Sequence, residues 1–313
     1  YGATGIIDYV KDYIFDEKLI LIGEDGAKWG ANENSAFSVE GKYWVNNHAH
    51  VLKPNRKIVI DKFLIETLNK FDLSHYITGL NVPKLNQGNL NEIQIPLPPI
   101  EIQQKIVSEI KILEAKENNA KEEIKKNRET ILNLFNQAES KANKTLRLSD
   151  ESIFQVSIGK RVLKNEFVVN GKIPVYSANV IEPFGSIDKL LIEDFSKPSV
   201  LWGIDGDWMV NHLPKDYPFY PTDHCGVLRV KDNSINEKYL AFILEKEGKA
   251  FEFSRTKRAS IDRIQGIKIA VPTLSEQQKI VSEIEKIEAK IKVLETEIAA
   301  IPKLKEAVLK KYL

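Results

Sequence analysis

The densest group of positive side chains in this sequence lies in the stretch FSRTKRASIDR at Phe253–Arg263, where only Asp262 is acidic. The cations of this stretch are Arg255, Lys257, Arg258 and Arg263. Ammonium and guanidinium groups bind phosphates, and a guanidinium can also donate two hydrogen bonds to the edge of guanine. Ser260 adds a neutral donor. The combination favours contact with nucleic acid, whereas the common structural alternative for a charge run is a solvated face.

A second stretch, TGLNVPKLNQGNL at Thr78–Leu90, is rich in amides and occupies the corresponding place in the first half of the chain. Asn81 and Asn86 carry the paired donor and acceptor that suit the edge of adenine, and Lys84 offers a charge for phosphate. Two domains that bind different base sequences would differ in this way.

Two Asp-Gly turns carry further polar and aromatic side chains. LIGEDGAKW at Leu21–Trp29 parallels LWGIDGDW at Leu201–Trp208, and NNHAHVL at Asn46–Leu52 parallels TDHCGVL at Thr222–Leu228. The candidate binding residues near these turns are Lys28, Trp29, Asn47 and His48 in the first half and Trp208, Asn211, His212 and His224 in the second. Because tryptophan more often belongs to a core, the equivalent positions in both halves are the stronger indication.

No combination of residues indicates catalysis. LIGEDGAKW lacks the spacing of a phosphate-binding loop, and the sequence contains no glycine-rich methyl-donor motif. Asp25 and Asp205 each precede a glycine, where capping a turn is the better interpretation. His212, His224 and Cys225 lack a fourth ligand and match no common zinc module. We therefore expect no catalytic site, no metal and no cofactor in this chain.

The eight residues QQKIVSEI occur twice, at Gln103–Ile110 and at Gln277–Ile284. IPLPP before the first copy matches IAVPT before the second, and EAK follows both. The Asp-Gly and histidine blocks come in the same order in each half. The chain therefore contains two copies of one unit, each a mixed globular domain followed by a long helix.

Apolar residues at alternating steps of four and three predict that these helices form a coiled coil. The seam runs from Ile280 to Ile301 in the second helix and from Ile106 to Ile131, with two polar interruptions, in the first. SEQQ from Ser275 predicts a capping box, and Pro302 predicts a kink or break. Since a whole domain separates the helices in sequence, an antiparallel spacer between two domains is favoured over a helical hairpin inside one compact fold.

Length and composition set the class of protein. At 313 residues, 42% of them hydrophobic, the chain is long enough for two domains, and its short strands, turns and helical segments predict an α+β class. A net charge of +1 means that any binding of nucleic acid depends on a local patch. The sequence has one cysteine, Cys225, and no apolar run of membrane-spanning length, so we expect a cytoplasmic protein without membrane contact.

Together the motifs resemble the specificity subunit of type I restriction-modification enzymes. The resemblance rests on YGATGII, LIGEDGA, IPLPPIEIQQKIVSEI and VPTLSEQQKIVSEI, and it covers essentially the whole chain. It implies two target recognition domains, 1–99 and 141–273, separated by spacer helices, 100–140 and 274–313, that form an antiparallel coiled coil. Each domain would bind one half of a split site in double-stranded DNA, in the major groove.

The resemblance also implies partners. The spacer would dock two methyltransferase subunits that modify adenine, and the restriction and translocase subunits would join through that complex, which leaves this chain non-catalytic. The residues given this docking role are Gln103, Gln104, Ile106, Ile110, Leu113, Gln277, Gln278, Ile280, Ile284, Ile287 and Ile291.

One departure from the family pattern concerns the start of the chain. The second domain carries Lys144–Val175 before YSANV, whereas the first begins directly at YGATG, which predicts that the amino-terminal part of the first recognition domain is missing. An alternative is the carboxy-terminal recognition region of a single-chain restriction-methyltransferase enzyme. A third hypothesis, a coiled-coil adaptor without a DNA role, leaves the differing loops unexplained.

Overall fold

The computed structural model describes every residue from Tyr1 to Leu313, and these residues divide into two compact units. Unit 1 comprises Tyr1–Ile124 and Lys292–Leu313, and unit 2 comprises Lys125–Ile291. Each of the two long helices therefore contributes one part to each unit.

Unit 1 is built around a small antiparallel sheet. Its strands and α-helices are β1 (Phe15–Asp16), β2 (Leu19–Gly23), β3 (Ala36–Val39), β4 (Lys42–Tyr43), β5 (Ala49–Leu52), α1 (Asp61–Lys70), α2 (Gln87–Glu92) and the first part of α3 (Ile100–Ser140). The central sheet has the order β3-β2-β5. The run LILIG of β2 is buried at every position, as expected for a short apolar run at the centre of a sheet.

Unit 2 contains a larger set of strands. Its elements are the end of α3, β6 (Lys144–Arg147), β7 (Phe154–Ile158), β8 (Ile173–Tyr176), β9 (Gly185–Ile187), β10 (Ser199–Gly203), β11 (Val210–Leu213), β12 (Tyr220–Pro221), β13 (Cys225–Val230), α4 (Glu237–Ala250), α5 (Ile261–Gln265), β14 (Lys268–Val271) and the first part of α6 (Leu274–Tyr312). Its main sheet has the order β11-β10-β13-β7, beside smaller sheets β12-β8-β9 and β14-β6.

The two units share a central arrangement. Strand β10 is buried throughout and lies between β11 and β13, as β2 lies between β3 and β5. Each central strand ends on a glycine that pairs with the first residue of a neighbouring strand: Gly23 with Ala49 of β5, and Gly203 with Cys225 of β13. A medium helix, a short helix and a long helix then follow in both units. The predicted α+β class is confirmed.

The two long helices pack against each other in opposite directions within each unit. Three ion pairs of unit 1 join them in reversed order of residue number: Glu109 with Lys311 at 2.9 Å, Glu114 with Lys305 at 2.8 Å, and Lys116 with Glu297 at 3.2 Å. In unit 2, Lys141 just after α3 pairs with Glu276 in the first turn of α6. The predicted antiparallel pair of helices is confirmed.

The ends of the predicted seam belong to the cores of the units. Every seam residue on α3 and α6 is buried or half-buried. Ile106 and Ile110 lie in one apolar cluster of unit 1 with Phe63 of α1, while Ile280 and Ile284 join the main core of unit 2. These four isoleucines are therefore core residues of their own units and offer no surface for a docking subunit. This corrects the docking role that was assigned to them from the sequence.

The first glutamine of the repeat is a buried structural link in unit 1. Gln103 Nε2 donates to the carbonyls of Ile58 at 2.9 Å and Pro98 at 2.8 Å, and its Oε1 accepts the N–H of Ile60 at 2.9 Å. Ile60 is the N-cap residue of α1. The side chain thus joins the start of α3 to the start of α1, which again differs from the predicted docking role.

Gln277 makes the same link in unit 2. Its Nε2 donates to the carbonyls of Ser234 at 3.0 Å and Pro272 at 2.9 Å, and its Oε1 accepts the N–H of Asn236, the N-cap residue of α4, at 2.8 Å. The second glutamine of each repeat, Gln278 here, is exposed. In both units, therefore, the first glutamine of the repeat is a buried structural link and the second is exposed to solvent.

Helix α6 runs without a break from Leu274 to Tyr312 with Pro302 inside it, so the predicted break is wrong. Ile301 and Leu309 are buried in unit 1. Their packing holds the helix although proline removes one backbone hydrogen bond, since most helical stability in proteins comes from tertiary packing.

The start of α6 also differs from the predicted capping box at Ser275. The helix begins at Leu274, and Thr273 Oγ1 accepts the N–H of Glu276 at 3.3 Å. Thr273 is therefore the residue that caps the helix, and Gln278, the glutamine that a box at Ser275 would use, is exposed.

Candidate nucleic-acid interface

Three loops of unit 1 come together where strand β2 ends. The backbone N–H of Glu24 donates to the carbonyl of His48 at 2.8 Å, and the carbonyl of Glu24 accepts the N–H of Leu85 at 2.7 Å. These bonds join the Asp-Gly turn to the loop before β5 and to the loop before α2. Gly26 has a φ of +71°, a left-handed conformation that glycine adopts without a steric penalty.

The same three loops meet in unit 2. The N–H of Ile204 donates to the carbonyl of His224 at 3.1 Å, and the carbonyl of Ile204 accepts the N–H of Ala259 at 2.8 Å. Gly206 has a φ of +91°. The two junctions therefore have the same backbone design.

At each junction an aspartate lies between a histidine and a cation. We call these groups the Asp–His–cation clusters: Asp25, His48 and Lys84 in unit 1, and Asp205, His224 and Arg258 in unit 2. In unit 1, His48 Nδ1 lies 2.5 Å from Asp25 Oδ1, and Lys84 Nζ lies 3.5 Å from Asp25 Oδ2.

The cluster of unit 2 has similar distances. His224 Nδ1 lies 2.9 Å from Asp205 Oδ2, and Arg258 Nη2 lies 3.6 Å from the same oxygen. A carboxylate accepts hydrogen bonds and does not donate them, so Nδ1 carries the shared hydrogen. Nε2 is then an acceptor in the neutral ring and a second donor in the charged ring.

The histidine rings are accessible. The side chain of His48 is 49% exposed and that of His224 is 45% exposed. In unit 1 the Glu24 carboxylate lies 2.9 Å from Lys84 Nζ and raises the pKa of this ammonium group. Each cluster therefore offers solvent a charged group and an oriented imidazole, which are suitable partners for a phosphate or a base edge.

The third loop of each unit is closed by two backbone hydrogen bonds and differs at its tip. Thr78 and Lys84 exchange bonds of 2.9 and 2.8 Å. Ser254 and Lys257 exchange two bonds of 3.1 Å. The tip is GLNVP, residues 79–83, in unit 1 and the dipeptide Arg255-Thr256 in unit 2.

Several predicted contact residues lie at these junctions. His48, Lys84, His224 and Arg258 belong to the clusters, and the exposed residues Lys28, Asn47, Asn81, Arg255 and Lys257 lie on the same loops. Asn86 instead caps α2, since its Oδ1 accepts the N–H of Asn89 at 2.9 Å. Ser260 is the N-cap residue of α5, but its hydroxyl makes no capping bond.

Two predicted aromatic contacts, Trp29 and Trp208, pack against their own units. Trp29 is 7% exposed, and its ring N–H donates to the carbonyl of Gly23 at 3.0 Å. The Trp208 ring N–H donates to the carbonyl of Glu245 at 3.0 Å, and its ring lies 5.0 Å from that of Phe253. Trp29 is therefore part of the core, whereas Trp208 is half-buried against Phe253 and α4.

Asn211 and His212 lie on β11, away from the end of β10 where the loops meet. Asn211 Nδ2 donates to the carbonyl of Val180 at 2.7 Å. Burial, followed by the charge of Lys238, lowers the pKa of His212. A neutral, half-buried imidazole of this kind fits a structural position better than a phosphate contact.

The basic stretch is more neutralised than the sequence indicates. Lys257 Nζ lies 3.3 Å from Glu252, and Arg258 pairs with Asp205 as described. The Arg263 guanidinium donates to the carbonyl of Arg258 at 2.8 Å and lies 4.9 Å from the ring centre of Phe253. Exposed ion pairs contribute only about 0 to 1 kcal/mol, so Lys257 and Arg258 can exchange their acids for phosphates.

Sequence reasoning missed the acids of the clusters. The sequence favours turn caps for Asp25 and Asp205, whereas in the structure each also orients a histidine. The available signal was the repetition: an aspartate in the turn and a histidine in the following block occur at equivalent places in both halves.

Three further features concern metal binding, thiol reactivity and membrane spans. No group of three or more histidine, cysteine or acidic side chains is arranged to hold a metal ion. Burial raises the pKa of the Cys225 thiol, so it is not a reactive thiolate at neutral pH. No helix is both long and apolar enough to cross a membrane.

The fold and the loop junctions define a class of protein with two related α+β units, each carrying a polar junction of three loops, connected by two long antiparallel helices. Residues 1–127 and 143–303 match the family model of the type I restriction modification DNA specificity domain. The chain belongs to this family, and the resemblance seen in its sequence is confirmed.

Relatives support this assignment. The chain is 27% identical over 316 residues to a putative type I restriction enzyme specificity subunit of Haemophilus influenzae, covering 92% of this chain and 79% of the relative. It is 29% identical over 204 residues to a putative type I specificity subunit of Mycoplasma pneumoniae, covering 62% of this chain and 80% of the relative.

Solved structures share the fold. The S subunit of a type I restriction-modification system from M. genitalium superposes with a TM-score of 0.57 at 16% identity, covering 96% of this chain and 84% of that chain. A chain from a structure of type I restriction-modification complex assembly gives a TM-score of 0.59 at 15% identity, covering 94% and 81%.

Proposed function

We propose that this chain recognises DNA sequence for a type I restriction-modification system, with each unit binding one half of a bipartite site in double-stranded DNA. The observation that carries the proposal is the pair of Asp–His–cation clusters, which are built alike in both units beside loop tips that differ. Phosphates are the same in every sequence, whereas bases differ. The clusters that both units share are therefore suited to contact the phosphate backbone of DNA. The loop tips that differ are suited to contact the bases of two different half-sites.

The proposed contact residues follow from exposure at the junctions. They are Lys28, Asn47, His48, Asn81 and Lys84 in unit 1 and His224, Arg255, Lys257, Arg258, Ser260 and Arg263 in unit 2. We place the target recognition domains at 1–99 and 141–273 and the spacer at 100–140 and 274–313, with the tips entering the major groove.

The outer faces of α3 and α6 are proposed to dock two methyltransferase subunits. Gln104 and Gln278 are exposed and occupy the same place in the two repeats. Two identical subunits need two similar surfaces, so exposed residues that repeat are the best candidates. Exposed apolar side chains on the helices, Ile112 at 69%, Val293 at 59% and Leu132 at 53%, add contact area.

In this proposal the chain has no catalytic role. Methylation and cleavage belong to the partner subunits, and the restriction and translocase subunits join through the methyltransferase core in the cytoplasm, where the DNA is. The alternative of a single-chain enzyme gains no support, because the relatives described above are named as specificity subunits.

The test is selection of bound sequences from randomised duplex DNA by the chain assembled with its methyltransferase subunits. We expect enrichment of two short sequences separated by a gap. Substitutions in the tip of unit 1 would change one of them and substitutions in the tip of unit 2 the other. Enrichment of no sequence would reject DNA recognition and favour the adaptor hypothesis.

The Asp–His pair gives a first prediction. His224→Ala is expected to weaken binding of the selected site about 10-fold, and Asp205→Asn nearly as much, because an amide can offer either its oxygen or its NH2 group to Nδ1 and therefore no longer fixes the tautomer of the imidazole. The double variant is expected to be no weaker than His224→Ala alone, as titrations of the assembled complex by fluorescence anisotropy would show.

Asp207→Asn is the matched control for this prediction. Asp207 is exposed in the same turn, so its replacement removes the same charge without touching His224. Equal effects of the two Asn substitutions, or additive effects in the double variant, would contradict a positioning role for Asp205.

A further inference from the structure

We infer that Leu80 and Val82 of unit 1 contact the methyl group of a thymine, so that this unit binds an A·T pair by apolar contact where unit 2 uses a cation. The inference rests on the proposed function and assigns one element of the target sequence to two residues outside the contact set predicted above.

The tip of the unit 1 loop is apolar and fully accessible. Leu80 is 103% exposed and Val82 is 63% exposed. Single exposed apolar residues are common on protein surfaces, but here two of them flank an amide on a five-residue tip, residues 79–83, at a polar junction. Neither side chain belongs to an apolar cluster of the unit.

The loop is built to hold this tip in place. Thr78 and Lys84 close it with reciprocal backbone bonds of 2.9 and 2.8 Å. Gly79 has a φ of +93°, and a Cβ at this position would lie 2.3 Å from the carbonyl oxygen of Val82. Pro83 restricts the backbone further. A preorganised loop presents its side chains at little cost in conformational entropy.

The tip emerges directly from the Asp–His–cation cluster. Lys84, which ends the loop, lies 3.5 Å from Asp25, and Asp25 holds His48. A phosphate bound by Lys84 would therefore bring base edges to the adjacent tip. The group that fits an apolar side chain in the major groove is the C5 methyl of thymine.

The residue between the two apolar side chains fits the same base pair. Asn81 is exposed, and its amide can bond the N6 and N7 positions of adenine. An amide for adenine flanked by apolar groups for thymine is a combination that suits an A·T pair. At the corresponding tip of unit 2, Arg255 and Thr256 offer polar groups, and arginine suits guanine.

The experiment uses the assembled complex and the site obtained by selection. Each thymine of the unit 1 half-site is replaced in turn by deoxyuridine, which lacks only the methyl group. We expect one position at which this change weakens binding by the wild-type complex about fourfold, the value of one buried methyl-sized group. The complex with Leu80→Ala/Val82→Ala is expected to bind the thymine site about 10-fold more weakly than wild type. Its affinity should be the same for the thymine site and the deoxyuridine site.

Val169→Ala is the control, because Val169 is an equally apolar side chain that is 91% exposed in unit 2. It should retain the full response to deoxyuridine in the unit 1 half-site. Three results would overturn the inference and leave the proposed function intact. They are a half-site without thymine on either strand, unchanged binding after deoxyuridine replacement at every position, and the same loss of binding on that replacement in the Leu80→Ala/Val82→Ala variant. Failure to select any sequence would instead reject the proposed function.

Discussion

Replacement of Gln277 by alanine is expected to lower the free energy of unfolding of unit 2 by about 2 to 4 kcal/mol. The Gln277 side chain is fully buried and makes three hydrogen bonds to backbone groups. Alanine would leave two carbonyl oxygens and one N–H without partners, and each buried unpaired group costs about 1 to 3 kcal/mol unless water enters. Urea denaturation monitored by circular dichroism would measure the loss.

The chain supplies a matched control for this variant at the adjacent position. Gln278 is exposed, so Gln278→Ala should change the free energy of unfolding by less than about 0.5 kcal/mol. Gln103→Ala and Gln104→Ala should repeat the contrast in unit 1. Hydrogen exchange should show weakened protection at Ser234 to Asn236. Equal destabilisation by Gln277→Ala and Gln278→Ala would contradict the structural role of the first glutamine.

Simultaneous replacement of Arg255, Lys257 and Arg258 by alanine is expected to weaken DNA binding by the assembled complex about 100-fold at moderate salt. Removal of each cation that binds a phosphate should reduce the slope of log affinity against log salt by about one unit. The substitution also leaves Glu252 and Asp205 without their cations, which adds repulsion of the DNA backbone. Titrations at several salt concentrations would give both quantities.

A second triple variant with the same change of charge is the control. It distinguishes the loss of direct phosphate contacts from the effect of a lower net positive charge on the whole protein. Lys144, Arg147 and Lys268 are exposed cations on the β6-β14 sheet, outside the loop junction. Their replacement by alanine should leave the salt slope within about half a unit of wild type, since long-range interactions are screened beyond about 10 Å at 0.1 M salt. Identical slopes in both triple variants would remove the basic stretch from the proposed interface.

The sequence alone predicted the features that depend on local pattern. Alternating steps of four and three identified the seams of α3 and α6, and the two QQKIVSEI copies identified the repeat. These signals are strong because periodicity and repetition extend over many residues and do not depend on contacts with distant parts of the chain. The α+β class followed from the short strands, turns and helical segments, and the family resemblance from YGATGII, LIGEDGA and the two junctions that contain QQKIVSEI.

The roles of individual side chains depended on packing that no local pattern contains. Gln103 and Gln104 are identical in type, yet the first is buried and the second exposed, because one face of the helix meets the start of α1. Trp29 is part of the core, and Pro302 lies within an unbroken helix in which Ile301 and Leu309 are buried. A one-residue difference in position on a helix changes the face by about 100°.

The sequence by itself determined that this chain has two related units, two long paired helices and membership of the specificity family. Only the tertiary structure decided which polar residues meet. Asp25 and His48 are separated along the chain, as are Asp205 and His224. They become partners because each aspartate follows, and each histidine precedes, one of two strands that pair in the sheet. Hydrogen bonds between such distant residues arise from strand pairing and register, which a single sequence specifies only through the complete fold.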